Sequence, residues 1–306
     1  MAGRGRSSLG PRFALALLAL AACRAPRATP SESSSAGAAK IAASASSPSR
    51  VAASPSSPLP LSSSASASLA SPPPAPSSPA LAPLQAVAAQ VSLPVPGFRD
   101  AVVALPLGAS TPRFAVLALH GNFDRPEWQC EVWRRITRGE VFVLCPRGVP
   151  RRDVPPQLDR WEWSGVAKTK SEIVAALAAL RARYPEYVKP GAVVLTGFSL
   201  GAILGARLLQ DPELEIAAAV LIEGGYQGWT VAKAKSLKPR VHRLLFACGQ
   251  SECRNAYRYQ LGHLFERSGV PSSLVEDVKA GHTYDDPVAA LVQAAWPELM
   301  AAAETQ

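Results

Sequence analysis

The sequence predicts an α/β domain over residues 96–306, with a mostly parallel, doubly wound sheet and helices on both faces. Three observations support this prediction. Apolar runs that suit strands alternate with runs that suit helices, as in parallel sheets whose strands are connected by helices. A Gly-x-Ser-x-Gly motif at 197–201 joins a β-branched run to a helix-prone run. The pairs His120-Gly121 and Gly281-His282 follow two further predicted strands.

The predicted elements follow one another in a regular order. Strands are predicted at 101–107, 114–119, 141–145, 192–196, 217–222, 243–247 and 272–278, and helices at 127–138, 170–184, 202–210, 253–268 and 287–303. In open α/β sheets the reacting groups lie just beyond the carboxyl ends of the strands. The stretch 224–239 is too short for a large cap domain, so we expect an open site.

The amino terminus is predicted to be an export signal. Arg4, Arg6 and Arg12 precede an apolar run at 13–22 that ends at Cys23. Basic residues before a short apolar run are typical of secretory signals, and a permanent membrane helix needs about 20 apolar residues. The sequence Leu-Ala-Ala-Cys at 20–23 resembles the bacterial lipobox, which implies cleavage before Cys23 and lipidation of that cysteine.

This resemblance implies that residues 1–23 are a lipoprotein signal and that the mature chain is anchored to a membrane of the bacterial cell envelope. The residue after the cysteine is Arg24 and not an aspartate. In this class of signals, that implies sorting to the outer membrane. Either the periplasmic or the outer side of that membrane is compatible with the sequence.

Residues 24–95 are predicted to be a disordered tether. They consist mainly of Ser, Ala and Pro, a composition that buries too little apolar surface to offset the loss of backbone entropy. Residues 1–95 also hold seven of the Lys and Arg residues and one acid, which leaves 25 basic and 22 acidic residues in the rest of the chain. The basic charge therefore does not indicate a nucleic-acid partner.

Ser199 is the predicted nucleophile. In a strand–turn–helix with the Gly-x-Ser-x-Gly motif, the serine occupies a strained turn and its hydroxyl projects from the sheet. The glycines leave room for the turn. The residue after the serine begins a helix, so its N–H group is available to a developing oxyanion.

The order of His120-Gly121, the serine motif, a later acid and Gly281-His282 resembles the α/β-hydrolase superfamily over nearly all of residues 98–303. The segment Pro-Arg-Gly at 146–148 and the lack of a large insert resemble its small, capless esterase branch of dienelactone hydrolases and carboxylesterases. The resemblance implies that His282 is the general base, and imidazole suits that role near neutral pH. We interpret His120 as a structural hydrogen-bonding residue.

Two glutamates are candidates for the acid that orients His282. Glu252 follows the predicted strand 243–247, where the family usually has its acid, and is the favoured candidate. Glu223 follows the preceding strand, where a few members have it, and remains the alternative. Either carboxylate could hold the imidazole tautomer and stabilise its charged form.

The oxyanion hole is predicted to consist of the backbone N–H groups of Leu200 and Asn122, with Phe123 as the alternative to Asn122. Trp161 and Trp163 are predicted to line the substrate pocket.

Four cysteines remain after lipidation of Cys23, and an exported domain favours disulfides. We predict the pairs Cys130–Cys145 and Cys248–Cys253. The cysteine and histidine spacing does not suggest a metal site, and no cofactor is expected.

Two hypotheses of different classes remain open on the sequence alone. The first is a lipid-anchored serine hydrolase that cleaves small or polymer-linked esters through an acyl-enzyme at Ser199. The second is a non-catalytic binding or envelope protein with the same fold, because a fold does not determine a function.

Overall fold

The computed structural model describes residues 81–304, and eight of its strands form one sheet. The predictions for residues 1–23 and 24–80 lie outside the described residues. The strands of the sheet are β1 Gln90–Leu93, β2 Ala101–Ala104, β3 Ala115–Leu119, β4 Phe142–Cys145, β7 Val193–Phe198, β8 Ile216–Ile222, β9 Arg243–Cys248 and β10 Ser272–Glu276, and a separate two-stranded hairpin consists of β5 Val149–Pro150 and β6 Trp161–Glu162.

The order of the strands in the sheet is β1-β2-β4-β3-β7-β8-β9-β10. β2 is antiparallel to both of its neighbours, and the other neighbouring pairs are parallel. This is the arrangement of the α/β-hydrolase fold, so the predicted fold class is confirmed.

Helices cover both faces of the sheet. They are α1 Pro126–Ile136, α2 Val166–Arg183, α3 Leu200–Leu208, α4 Val231–Leu237, α5 Ser251–Gln260, a π-helical turn Leu261–Phe265 that leads into α6 Glu266–Ser268, and α7 Val288–Glu304. One apolar cluster contains Trp133 of α1 and Trp296 of α7, and the other contains Ile173 of α2 and Leu204 of α3. No large cap is present among the described residues, because the connection from β8 to β9 contains only the short helix α4.

Local sequence explains where the first helix begins and ends. Pro126 occupies the first turn of α1 and Glu127 follows it, while Arg134 and Arg135 lie in the last turn. Proline suits the first turn because its missing N–H is not needed there. The charges complement the helix dipole at each end.

The folded domain begins earlier than the predicted boundary between residues 95 and 96. Leu84 and Leu93 are buried in the core, and β1 pairs along its whole length with β2. The prediction of disorder up to residue 95 is therefore wrong for this stretch. Composition alone missed it because a four-residue strand is stabilised by its neighbour and not by its own sequence.

Both predicted disulfides are present. Cys130–Cys145 joins α1 to the end of β4, and Cys248–Cys253 joins the end of β9 to the first turn of α5. The second bond closes the short loop that contains Gly249 and Gln250. Within residues 81–304, no helix combines the length and the apolar character needed to cross a membrane.

Candidate active site

Ser199 lies in a tight turn between β7 and α3, with φ 51° and ψ −114°. The two glycines of the motif allow this turn because neighbouring backbone leaves no room for a side chain. A β-carbon at Gly197 would lie 2.5 Å from the carbonyl carbon of Gly201, and one at Gly201 would lie 2.2 Å from the carbonyl oxygen of Leu119. The structure therefore has the strained serine turn that the motif predicts.

His282 contacts Ser199 directly. Its Nε2 lies 2.9 Å from Ser199 Oγ, and the ring is held in a loop after β10 in which Gly281 has φ 69°. Ser199 Oγ–H can donate to Nε2 when the imidazole proton is on Nδ1. Glu223 and Gln250 face Nδ1 with oxygens that can accept that proton.

Glu223 is the carboxylate beside His282. Its Oε2 lies 3.6 Å from His282 Nδ1, and its side chain is completely buried. Glu223 Oε1 accepts hydrogen bonds from the backbone N–H groups of Gly249 and Gln250, whereas Oε2 has no hydrogen-bond partner among the described residues. One oxygen thus fixes the carboxylate and leaves the other facing the imidazole.

Glu252, the acid that the sequence favoured, does not lie beside His282. It occupies the exposed first turn of α5, where its carboxylate interacts with Tyr226. The segment before α5 passes close to the histidine loop at Gly249, where a β-carbon would lie 2.2 Å from the Gly281 carbonyl oxygen. By residue 252 the chain has turned into the helix, so this assignment is corrected to Glu223.

Strand register could have identified Glu223. Phe198 of β7 pairs with Ile222 of β8, so the residues that follow them, Ser199 and Glu223, leave neighbouring strands side by side. The sequence analysis gave more weight to the strand after which the acid usually occurs.

Gln250 is a contact of His282 that the sequence analysis missed. Its Oε1 lies 3.2 Å from His282 Nδ1, while its backbone N–H donates to Glu223 Oε1 at 3.0 Å. Gln250 therefore contacts both the histidine and the carboxylate.

The loop after β3 lies against the serine turn. A β-carbon at Gly121 would lie 3.6 Å from Ser199 Cβ. The N–H of Asn122 makes no hydrogen bond among the described residues, whereas that of Phe123 donates to the Trp161 carbonyl at 3.1 Å. The alternative donor Phe123 is therefore occupied. Leu200 is the first residue of α3, where an N–H has no acceptor within the helix, and the pair of Leu200 and Asn122 stays a prediction.

The buried side chain of His120 packs against the loop after β3. It is completely buried, and its two ring nitrogens lie 2.7 Å and 2.9 Å from the carbonyl oxygens of Gly121 and Arg147. Its ring stacks on Trp163 with centroids 4.5 Å apart. Burial lowers the pKa of His120, and its contacts with Gly121 and Arg147 fit a structural role in this loop.

A buried carboxylate connects the loop after β3 to the histidine loop. Asp124 accepts hydrogen bonds from the N–H of Arg125 at 2.7 Å and from the hydroxyl of Tyr284 at 3.2 Å. Tyr284 lies two residues after His282. Burial raises the pKa of both Asp124 and Tyr284. The hydrogen bond between them therefore ties the loop of the predicted oxyanion donor to the loop of the base.

Trp161 and Trp163 are buried, and each borders a cavity whose lining includes neither Ser199 nor His282. The indole N–H of Trp163 donates to the His120 carbonyl at 2.9 Å. Both residues contact the loop after β3, and their role in the substrate pocket stays a prediction.

Among residues 81–304, no group of three or more His, Cys, Asp or Glu side chains could hold a metal ion.

Known proteins resemble this chain in structure but not in sequence. No protein-family model and no curated protein matches it. S-formylglutathione hydrolase from Staphylococcus aureus aligns with 73% of this chain and 100% of its own, at a TM-score of 0.49 and 16% identity. Esterase PE8 aligns with 68% of this chain and 100% of its own, at a TM-score of 0.48 and 19% identity. The carboxylesterase of Bacillus cereus aligns with 66% of this chain and 93% of its own, at a TM-score of 0.46 and 19% identity.

Proposed function

We propose that the domain is a serine hydrolase that cleaves carboxylic esters through an acyl-enzyme at Ser199. The observation that carries this proposal is the 2.9 Å contact between Ser199 Oγ and His282 Nε2, with a buried carboxylate on the far side of the ring. A serine hydroxyl is a weak nucleophile unless a base contacts it, and the base needs a third group to orient it.

In the first half of the reaction, Ser199 Oγ attacks the ester carbonyl carbon while His282 Nε2 takes the hydroxyl proton. The carbonyl oxygen becomes negative and would be held by the N–H groups of Leu200 and Asn122. When the tetrahedral intermediate collapses, the bond to the alcohol oxygen breaks and His282 returns its proton to that oxygen. The alcohol leaves, and the acyl group remains on Ser199.

In the second half, a water molecule takes the place of the alcohol. His282 accepts a proton from the water as its oxygen attacks the acyl carbon. The bond to Ser199 Oγ then breaks, and His282 gives the proton back to the serine. The products are a carboxylic acid and a regenerated enzyme.

Glu223 stabilises the imidazolium that forms in each half. Its free oxygen lies on the Nδ1 side of the ring, and the backbone N–H groups of Gly249 and Gln250 hold the other oxygen. Gln250 Oε1 adds a second acceptor for the Nδ1 proton. Both acceptors favour the tautomer that leaves Nε2 open to the serine.

A fluorophosphonate probe tests the nucleophile directly, since it labels only an activated serine. We expect wild-type protein to be labelled and to hydrolyse short p-nitrophenyl esters. Ser199→Ala should abolish labelling and lower kcat/KM by about 10³-fold or more. Ser236→Ala is a matched control, because Ser236 is an exposed serine on α4 whose hydroxyl donates to the Lys233 carbonyl.

An unlabelled wild-type protein that is folded by circular dichroism would reject the hydrolase. It would support the non-catalytic binding protein.

If the wild-type protein is labelled, a panel of esters with graded acyl length and of polymer-linked esters would define the substrate class, since the described domain has no large cap that would restrict the substrate.

We also propose that the chain is exported and anchored to the bacterial envelope through lipid on Cys23. The support is the basic segment, the apolar run 13–22 and the lipobox-like sequence that ends at Cys23. Several acyl chains would anchor the protein stably, where a single chain would not. Metabolic labelling with a fatty acid should mark the wild-type protein and not Cys23→Ser, and label on both would contradict the site.

A further inference from the structure

A cavity lies beside the β5–β6 hairpin, and Val149, Pro150 and Trp163 form part of its wall. Its volume is about 650 Å³, within the range of sites for small molecules. Neither Ser199 nor His282 lines it. The cavity is therefore separate from the proposed site of ester cleavage.

Three cations line this cavity: Arg99, Arg152 and Lys168. No carboxylate within residues 81–304 pairs with any of them, and Arg99 contacts only the face of the Trp161 ring, 5.8 Å from its centroid. The adjacent Arg151 differs, since it pairs with Asp153 and Glu162. Three unpaired cations around one opening attract an anion because each is left without a counter-charge.

The two carboxylates of the cavity do not neutralise these cations. Glu162 faces Arg151, at 3.6 Å. Glu172 is 5% exposed, and its Oε1 accepts the backbone N–H groups of Arg147 at 3.0 Å and Gly148 at 2.8 Å. Burial raises the pKa of Glu172. Glu172 therefore offers acceptor oxygens at a buried part of the wall, whereas Arg99, Arg152 and Lys168 are exposed.

We infer that this cavity binds a small organic anion that also carries hydroxyl groups, such as a sugar phosphate or a sugar acid. The phosphate or carboxylate would contact Arg152, Lys168 and Arg99, since such groups form charge-assisted hydrogen bonds with cations. The hydroxyl groups would donate to the acceptor oxygens of Glu172 and Glu162.

The cavity also adjoins the candidate active site through the β5–β6 hairpin. Val149 and Pro150 form part of its wall, and the next residue, Arg151, reaches Asn122 Oδ1 with its guanidinium. A ligand in the cavity would therefore stabilise the hairpin that contacts the loop after β3, which carries Asn122.

Isothermal titration of the full chain with glucose 6-phosphate, glucuronate, glucose and inorganic phosphate tests the inference. We expect at least one of the two sugar anions to bind with a stoichiometry of one and more tightly than glucose or inorganic phosphate. Arg152→Ala and Lys168→Ala should each weaken that binding about tenfold, the effect of one charged hydrogen bond. Lys235→Ala, an exposed cation on α4, should leave it unchanged.

Hydrogen exchange with the same ligand locates the site. We expect slower exchange in residues 148–164 and none of that effect in residues 249–253. The inference is overturned if neither sugar anion binds, if glucose or inorganic phosphate binds equally well, or if the two cavity variants bind like wild type. Binding does not need Ser199, so Ser199→Ala should give the same isotherm, and the test stands apart from the test of ester hydrolysis.

Discussion

Ser199 and Glu223 both have an uncommon positive φ, of 51° and 53°. Such values strain a residue that is not glycine, at a cost of about 1–3 kcal/mol each. The sheet holds both in place, since the N–H of Ser199 donates to Ile222 O at 2.9 Å and that of Glu223 to Ala247 O at 3.0 Å. The two strained residues follow neighbouring strands, which places the nucleophile and the acid on either side of His282.

The sequence predicted the pair of Ser199 and His282 that the structure brings into contact, but it favoured Glu252 over Glu223, the carboxylate that lies beside the imidazole. A Gly-x-Ser-x-Gly motif and a Gly-His pair are local patterns, so they can be recognised without coordinates. The choice between Glu223 and Glu252 depends on where α5 begins and on which carboxylate is buried. Neither is a property of a few neighbouring residues, and Gln250 was missed for the same reason.

Exchanging each glutamate for glutamine tests the acid. Glu223→Gln should lower kcat by about 10²–10⁴-fold, since the imidazolium loses its counter-charge. Glu252→Gln should change kcat less than about twofold, because that side chain is exposed and faces Tyr226. Steady-state kinetics on one chromogenic ester measures both, and a larger loss at Glu252 would contradict the geometry.

At the scale of the elements, most predicted strands and helices are present within a few residues of their predicted ends. β7 and β8 were predicted well because long apolar runs specify buried strands. The helix α4 and the β5–β6 hairpin were not predicted. These elements are short, and contacts such as the bond from Phe123 N–H to the Trp161 carbonyl hold the hairpin, so their sequences carry little signal of their own.

The loop after β3 and the histidine loop are predicted to depend on each other. Tyr284→Phe removes the hydroxyl that donates to Asp124 while it keeps the ring that packs 4.6 Å from Phe198. A buried hydrogen bond to a charged group contributes about 1.5–3 kcal/mol, and we expect a loss of that size in the free energy of unfolding together with a lower kcat.

Denaturant unfolding and steady-state kinetics measure the two effects. Tyr259→Phe is the matched control, because Tyr259 is 61% exposed and should leave both quantities unchanged. Wild-type stability and kcat in Tyr284→Phe would show that the two loops are independent.

At the scale of the whole molecule, the stability should depend on pH through His120. Burial lowers the pKa of this histidine from 6.5, so near and below about pH 6.5 the unfolded chain binds this proton more readily than the folded chain does. Its contribution is fully present above that pH and is lost as the pH falls, at up to about 1.4 kcal/mol per unit.

Free energies of unfolding measured between pH 7.5 and 5 test this expectation. His120→Gln should show a shallower decrease toward low pH than wild type, even though the substitution also lowers stability at every pH. His263→Gln replaces an exposed histidine and should keep the wild-type slope. An unchanged slope in His120→Gln would mean that another group sets the acid sensitivity.

The amino-terminal boundary of the fold is the feature of the whole molecule that composition concealed. Leu84, Leu93 and Val95 are 6%, 2% and 4% exposed, and burial of each side chain contributes about 1.5–3 kcal/mol. A chain that starts at residue 96 would lose all three buried side chains. It would also expose the edge of β2, and an exposed strand edge promotes aggregation because it can pair with another chain. We expect it to unfold at a clearly lower guanidinium concentration than a chain that starts at residue 81, and to aggregate at lower protein concentration. Equal unfolding midpoints for the two chains would mean that β1 contributes nothing to the stability of the domain.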